Sequence, residues 1–385
     1  MPGIIKERLF TPGPTPLLLE AQARALTATL HHRTDEFRRL MRETIDGLRD
    51  YFNTKNEVLI FASSGSGAME GAMTNLVSPG ERVLVGTAGK FGERWIGLAR
   101  AYGAEVVTVQ SPYGQCVPMP EMKKRLETEG PFRAVFIQST ESSTGVRHDV
   151  ETLGKLVSAY PETCLVVDAI TGLGTTDLHP DEWGLDVVIG GSQKATMVPP
   201  GLAFVSVSDK AWKLIAKSKT PRFYFDFARE RKSQAKGESS YTPATTLVVS
   251  LHAALKYIHQ VGRDNLIANA AQLAEATREA AKRLGLGLFA QCSPANALTS
   301  IAAPEGMDSG LIVKEMRTRF GAIVSNGQGE MKGKIFRLAH LGYYDAMDLF
   351  AAIAALEIAL TRLGHKVELG SGVRAAQEVY LRQSA

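Results

Sequence analysis

Hydrophobic positions fall in short runs of four to six residues, separated by amphipathic stretches of roughly helical period. Apolar runs at Val58–Phe61, Arg82–Gly86, Glu105–Val109, Ala134–Gln138 and Cys164–Asp168 alternate with helical patterns at Phe91–Tyr102, Glu121–Thr128 and Val150–Ala159. Strands alternating with helices of about ten residues predict βαβ units and a mostly parallel sheet covered on both faces. Asp186–Ile189 adds another buried strand. Leu202–Ser208 returns directly after Pro199-Pro-Gly201, with too little chain for a crossover helix, so it is expected antiparallel to its neighbour.

The segments before and after this run differ in character. Phe10-Thr-Pro-Gly-Pro-Thr-Pro16 carries three prolines and predicts an extended arm. Thr34 or Asp35 caps a helix running to about Phe52. Ser218–Glu238 is basic and aromatic, lacks clean periodicity and reads as a loop. Beyond the helix Leu247–Gln260 a second α/β unit is expected, with helices Asn265–Leu284, Ser309–Phe320 and Tyr344–Leu363 and strands Leu298–Ala302, Ile323–Val324 and Ile335–Ala339. The tail after Gly370 is helical in pattern but has no assigned place. The expected organisation is an N-terminal arm (1–20), a large domain (21–262) and a small C-terminal domain (263–385).

Composition narrows the function. The chain has 385 residues, 44% hydrophobic and 22% charged, with 44 basic against 40 acidic side chains. That is a globular balance without a dense basic block, so no nucleic-acid partner is expected. No apolar run reaches membrane-spanning length and no signal-like start is present, which predicts a cytoplasmic protein with no membrane contact. Cys116, Cys164 and Cys292 are widely spaced and fit neither a disulfide framework nor zinc-ligand spacing, so all three are expected reduced.

Two charges stand out against the buried strands. Asp168 closes Leu165-Val-Val-Asp, and Lys194 follows the next strand after Gly190-Gly-Ser-Gln193. In a parallel sheet both lie at the carboxyl rim, where ligands bind. Taken singly, such a lysine is a solvated loop residue and such an aspartate a helix cap. Together they are what pyridoxal phosphate (PLP) requires: an amine for a Schiff base and a carboxylate for the pyridine nitrogen. Ser64 to Gly67, between a strand and a helix, supplies free N–H groups and glycines that would let an anion approach.

Asp168-Ala-Ile-x-Gly172, Gly191-Ser-Gln-Lys-Ala195 and Pro199-Pro-Gly201 together resemble the class V aminotransferases of PLP fold type I. The similarity is strongest to the alanine–glyoxylate, serine–glyoxylate and serine–pyruvate enzymes, and it runs from Thr11 to about Gly364. The resemblance implies that Lys194 is the Schiff-base lysine and proton carrier and that Asp168 faces the ring nitrogen. It implies further that Phe91, where many relatives have Trp, stacks on the ring and that Ser142 lies near the ring hydroxyl. Ser66, Gly67, Ala68 and Gln193 would hold the phosphate. Many relatives carry His where Ala68 stands, so contact there is expected through the backbone alone. Thr242, with Tyr241 beside it, would reach the phosphate from a second subunit, making the enzyme a homodimer. Arg337 would bind the substrate carboxylate, and the segment holding Gly13 would lie across the substrate entrance.

The implied function moves an amino group from alanine or serine to glyoxylate or pyruvate by a ping-pong route. No second arginine dedicated to a dicarboxylate is evident, which favours small amino acid and 2-oxo acid substrates. Two alternatives stand beside it: a cysteine desulfurase-like lyase and a non-enzymatic hydrogenase-associated subunit. The first would need a His beside the lysine, where Gln193 stands, and a nucleophilic Cys, which Ser325–Lys334 lacks and only Cys292 could provide. The second would have no need of Lys194, Asp168 and Arg337.

Overall fold

The computed structural model describes residues 4–27 and 30–382. Positions 1–3 and 383–385, at the outer ends of the expected arm and C-terminal domain, lie outside the described residues, as do 28 and 29.

A seven-stranded sheet organises the larger part of the chain. Its spatial order is Glu57–Ala62, Leu202–Val207, Val187–Gly191, Cys164–Asp168, Ala134–Gln138, Arg82–Thr87, Glu105–Gln110. Leu202–Val207 is antiparallel to both neighbours, and the other pairings are parallel. Successive side chains of a strand point to opposite faces. Val135, Ile137, Leu165 and Val167 accordingly enter one hydrophobic core, while Ala134, Phe136, Cys164 and Val166 enter the other. Burial on both faces explains why these strands read as continuous apolar runs.

A third core, built around Phe336, Leu338, Leu273, Ile353 and Leu356, lies in the C-terminal part. Its sheet has Ile335–Ala339 between Leu298–Ala302 and Ser325–Asn326, all antiparallel. Gly262 ends the helix Thr245–Val261 and begins the helix Arg263–Arg283. The tail forms a helix, Ser371–Arg382, whose buried Ala376 and Val379 join this third core. Buried Glu357 holds its start, accepting the N–H groups of Gly370, Gly372 and Val373.

The arm links the two parts. Arg8–Leu9 pairs in parallel with Ala322–Ile323, and buried Phe10 packs edge-on against Tyr344 at 5.5 Å. It then crosses to the large sheet, where Thr15 N–H donates to the Gln193 carbonyl (3.3 Å) and Leu18 N–H to that of Met197 (3.0 Å). A helix, Leu19–Thr27, follows, which the expected arm did not include. Its sequence signal misleads: small Ala21 is fully buried beside the helix Thr245–Val261 while Leu19 and Leu26 are exposed, so the large apolar positions do not mark the buried face.

The structure corrects two further expectations. Ser218–Glu238 is not all loop: Phe227–Gln234 is a helix capped by Asp226, whose side chain accepts the Arg229 N–H. Its inward face is Phe227, Glu230 and Gln234, and two polar members of a buried face erase the apolar period. Gln234 satisfies the outer sheet edge, donating to the Ile60 carbonyl (2.6 Å) and accepting its N–H (3.1 Å). Nor are all cysteines reduced. Cys116 and Cys292 form a disulfide with a Cα–Cα distance of 6.0 Å, while Cys164 is a buried free thiol. The partners are 176 residues apart, which spacing cannot pair. They meet because Gln291 N–H donates to the Gly114 carbonyl (2.8 Å) and Arg147 N–H to that of Ser293 (2.9 Å).

Candidate active site

Asp168 ends its strand at the carboxyl rim, and Lys194 follows the adjacent strand in a tight turn. That turn is built from Ser192 and Thr196. Ser192 Oγ donates to the Pro199 carbonyl (2.7 Å), and Thr196 Oγ donates to the Ser192 carbonyl (2.7 Å). Thr15, fully buried, donates its hydroxyl to the Lys194 carbonyl at 2.9 Å and braces the turn from the arm. The Lys194 ammonium donates to the Pro12 carbonyl. A Cβ at Gly13 would sit 2.5 Å from Lys194 Nζ, the movable end of its side chain, and the φ of +153° at Gly13 is a backbone conformation that L side chains rarely adopt.

Burial shifts both charges toward neutrality. The Lys194 amine is lowered to about 8, chiefly by burial; Asp168 opposes the shift, and Arg337 and Arg94 add to it. Asp168 is raised to about 6 by burial, against the Ile170 N–H bond to its Oδ1 (3.0 Å) and the positive charges of Lys194 and Arg94.

Ser66, Gly67 and Ala68 open the helix Gly65–Leu76, whose N-cap Ser64 makes no side-chain cap bond. The glycines serve protein packing as well as any anion. A Cβ at Gly65 would meet Ile170 Cδ1 at 2.3 Å, and one at Gly67 would meet Ser63 Oγ at 2.0 Å and Phe225 Cζ at 2.7 Å. Phe91 lies in the first turn of the helix Lys90–Ala101. One turn on, Arg94 stands 4.7 Å over the Phe91 ring and donates to Ser66 Oγ at 2.8 Å. Arg94 was not singled out in the sequence. Its i+3 spacing from Phe91 is the signal that could have found it.

Arg337, nearly fully buried, sits in the middle of the C-terminal sheet. Its guanidinium is held by carbonyls, from Nε and Nη2 to Asn326 (3.2 and 2.9 Å) and from Nη1 to Ser142 (2.7 Å). Burial lowers it to about 10, and the charge of Glu141 works against that shift. Ser142 therefore enters the site through its carbonyl. Glu141, also missed, is fully buried and accepts the N–H groups of Phe91 and Gly92 at 3.0 Å each. Hydroxyl-rich Ser139-Thr-Glu-Ser-Ser-Thr144 around one acid is its sequence signature.

Among the described residues, no hydrogen bond gathers Tyr241 and Thr242 with these side chains. The Tyr241 hydroxyl donates to the Phe223 carbonyl (2.8 Å), accepts from Arg229 (3.2 Å), and its ring stacks on Tyr224 at 4.9 Å. Thr242 is exposed. Buried Glu230 holds the segment before them, accepting Ser239 Oγ–H (2.8 Å) and Ser240 N–H (3.0 Å).

The residues present fit PLP. The helix start at Ser64 has no side-chain cap, and Arg94 brings positive charge to that start. An amine of lowered basicity faces a carboxylate across the same rim. These groups match an aldehyde, a ring nitrogen and a phosphate.

A family model described as aminotransferase class V matches residues 18–334. The soluble hydrogenase small subunit of Synechococcus sp. (strain PCC 6716) is 40% identical, over 97% of this chain and 98% of its own. The L-aspartate–glyoxylate aminotransferase of Paracoccus denitrificans (strain Pd 1222) is 34% identical, over 98% of this chain and 97% of its own. Among solved structures, an alanine–glyoxylate aminotransferase from Nostoc sp. superposes with a TM-score of 0.89 at 29% identity, covering 94% of this chain and 97% of that one. With a family match across most of its length and the rim chemistry in place, the chain belongs to the class V aminotransferases and is a PLP-dependent transaminase of fold type I.

Proposed function

We propose that the protein moves an amino group from a small L-amino acid, alanine or serine, to glyoxylate or pyruvate. The observation that carries this reading is Arg337, a buried guanidinium held by three carbonyl contacts and, among the described residues, reached by no carboxylate hydrogen bond. A planar fork of this kind binds one carboxylate by two parallel hydrogen bonds. The two aminotransferases compared above are named for aspartate and alanine as donors and agree on glyoxylate, which supports the acceptor more than the donor.

When bound, PLP supplies an aldehyde to carry the amino group and a ring that accepts electron density from the substrate Cα. The residues do the rest. Lys194, about half neutral near pH 8, would hold the cofactor through its amine and would serve as the base that takes the proton from the substrate Cα. Asp168 would keep a proton on the ring nitrogen. Phe91 would give the ring a stacking face, Ser142 would lie near the ring hydroxyl, and Ser66, Gly67, Ala68 and Gln193 would hold the phosphate, with Arg94 added to the set. Gly13 lets the arm close over Lys194 and the substrate.

The same reading includes a homodimer in which Thr242 and Tyr241 serve the partner's phosphate, and a cytoplasmic location. It also includes the division into an arm, a large domain to residue 262 and a small domain beyond it. A desulfurase-like role is disfavoured because Cys292, its one candidate nucleophile, is paired with Cys116. A non-enzymatic hydrogenase-associated role is disfavoured because Lys194, Asp168 and Arg337 are all in place. A panel of alanine, serine and aspartate against glyoxylate, pyruvate and 2-oxoglutarate tests the proposal. Alanine or serine with glyoxylate or pyruvate should give the highest kcat/KM, and clear preference for aspartate or 2-oxoglutarate would overturn it.

A further inference from the structure

The helix Lys90–Ala101 begins at Gly89, which offers no side-chain cap. Its first N–H groups are satisfied from elsewhere in the chain. Lys90 N–H donates to Ser143 Oγ (3.0 Å), and Phe91 and Gly92 N–H donate to Glu141 Oε2 (3.0 Å each). The other carboxylate oxygen, Oε1, accepts Ser143 N–H (3.1 Å) and Ser143 Oγ–H (2.6 Å). Gly89 makes room for this approach: a Cβ there would stand 2.5 Å from Glu141 Cδ and from Ser143 Oγ.

Between the two capping residues lies Ser142, whose carbonyl holds Arg337 Nη1 at 2.7 Å. One short hairpin, Thr140–Glu141 paired with Val146–Arg147, therefore grips the guanidinium on one side and the start of the helix bearing Phe91 and Arg94 on the other. We propose that Glu141, with Ser143, is a positioning residue that fixes the Arg337 carboxylate site in register with the Phe91 ring platform. This deepens the PLP reading above and rests on it.

Burial alone would favour the neutral acid and raises its pKa. All four contacts are donors, and both the helix start and Arg337 supply positive charge; these oppose that rise, to which the Asp168 charge adds. Register matters because transamination requires the substrate carboxylate and the ring to be fixed relative to each other. Misplacement by about 1 Å can cost on the order of a hundredfold in rate.

Glu141→Gln tests this. Its amide must turn an N–H group toward either the helix start or Ser143, opposing existing donors. Expected are faster deuterium exchange at the Phe91 and Gly92 amides of the cofactor-free protein and weaker PLP binding by roughly tenfold, equivalent to about 1.4 kcal/mol. KM should also rise for both the amino donor and the oxo acceptor. Ser143→Ala, which leaves the carboxylate intact, should shift the same readouts in the same direction but less, and it decides the matter if Glu141→Gln does not fold. A lower melting temperature with exchange, PLP affinity and both KM values within twofold of the parent would make Glu141 merely structural and overturn the proposal. The exchange measurement needs no cofactor. A parent protein that fails to bind PLP would defeat the functional reading, whereas a parent that binds it alongside unaffected variants would defeat only the clamp.

Discussion

The lowered basicity of Lys194 gives a direct pH prediction for cofactor capture. An ordinary lysine titrates at 10.5, and this one is brought to about 8. At pH 7.5 about a quarter of Lys194 amines are then neutral and nucleophilic, against about one in a thousand for the ordinary group, an advantage of roughly two hundredfold. The rate of PLP capture by cofactor-free protein should climb with pH and level off above a midpoint near 8. Stopped-flow absorbance from pH 6 to 10, divided by the rate per neutral amine of N-α-acetyl-lysine under the same conditions, removes the cofactor's own titration and leaves that of Lys194. The sign of a second perturbation is also set. Asp168 is negative above about pH 6 and stabilises the ammonium, so Asp168→Asn should move the midpoint below that of the parent. A parent rate still rising at pH 10, or a midpoint that moves upward in Asp168→Asn, would refute this electrostatic account.

Three further outcomes are expected. Arg337→Lys keeps the charge but loses the planar fork; it should raise KM for both amino donor and oxo acceptor, at about 1.5–3 kcal/mol, and an effect on only one substrate would require a second carboxylate site. Mixing Lys194→Ala with Thr242→Ala chains should yield heterodimers with one fully native site if Thr242 acts across the interface, whereas one lesion in each site would assign Thr242 to its own chain. Cys292→Ser removes a crosslink closing a 176-residue separation, worth up to about 5 kcal/mol in the chain-entropy picture, and an unfolding midpoint indifferent to the substitution would contradict the bridge.

Much of this was legible in the sequence because it follows from local rules. Val166 and Val167 serve opposite cores, so their strand had to read as continuously apolar, and Lys194 and Asp168 are placed by where such strands end. The direction of Leu202–Val207 followed from the shortness of the connection before it. Residues whose work lies in long-range polar contacts were not legible. Glu141 and Phe91 are separated by 50 positions, and although Glu141 sits in a hydroxyl-rich run, the backbone N–H groups that it caps carry no side-chain signature. The helix Phe227–Gln234 buries Glu230 and Gln234 against polar partners, and an apolar-period reading cannot register such a face. Gly67 looked like an anion cradle, yet the nearest demands on its missing side chain come from Ser63 and Phe225.

Lys194 is the residue through which the cofactor would be carried. Reducing the PLP-loaded protein with borohydride, digesting it and mapping the modified peptide by mass spectrometry tests this most directly. The label should fall on Lys194 alone, within Gly191-Ser-Gln-Lys-Ala195, and should be absent from Lys194→Ala. A label on any other lysine, or stable labelling that survives Lys194→Ala, would contradict it.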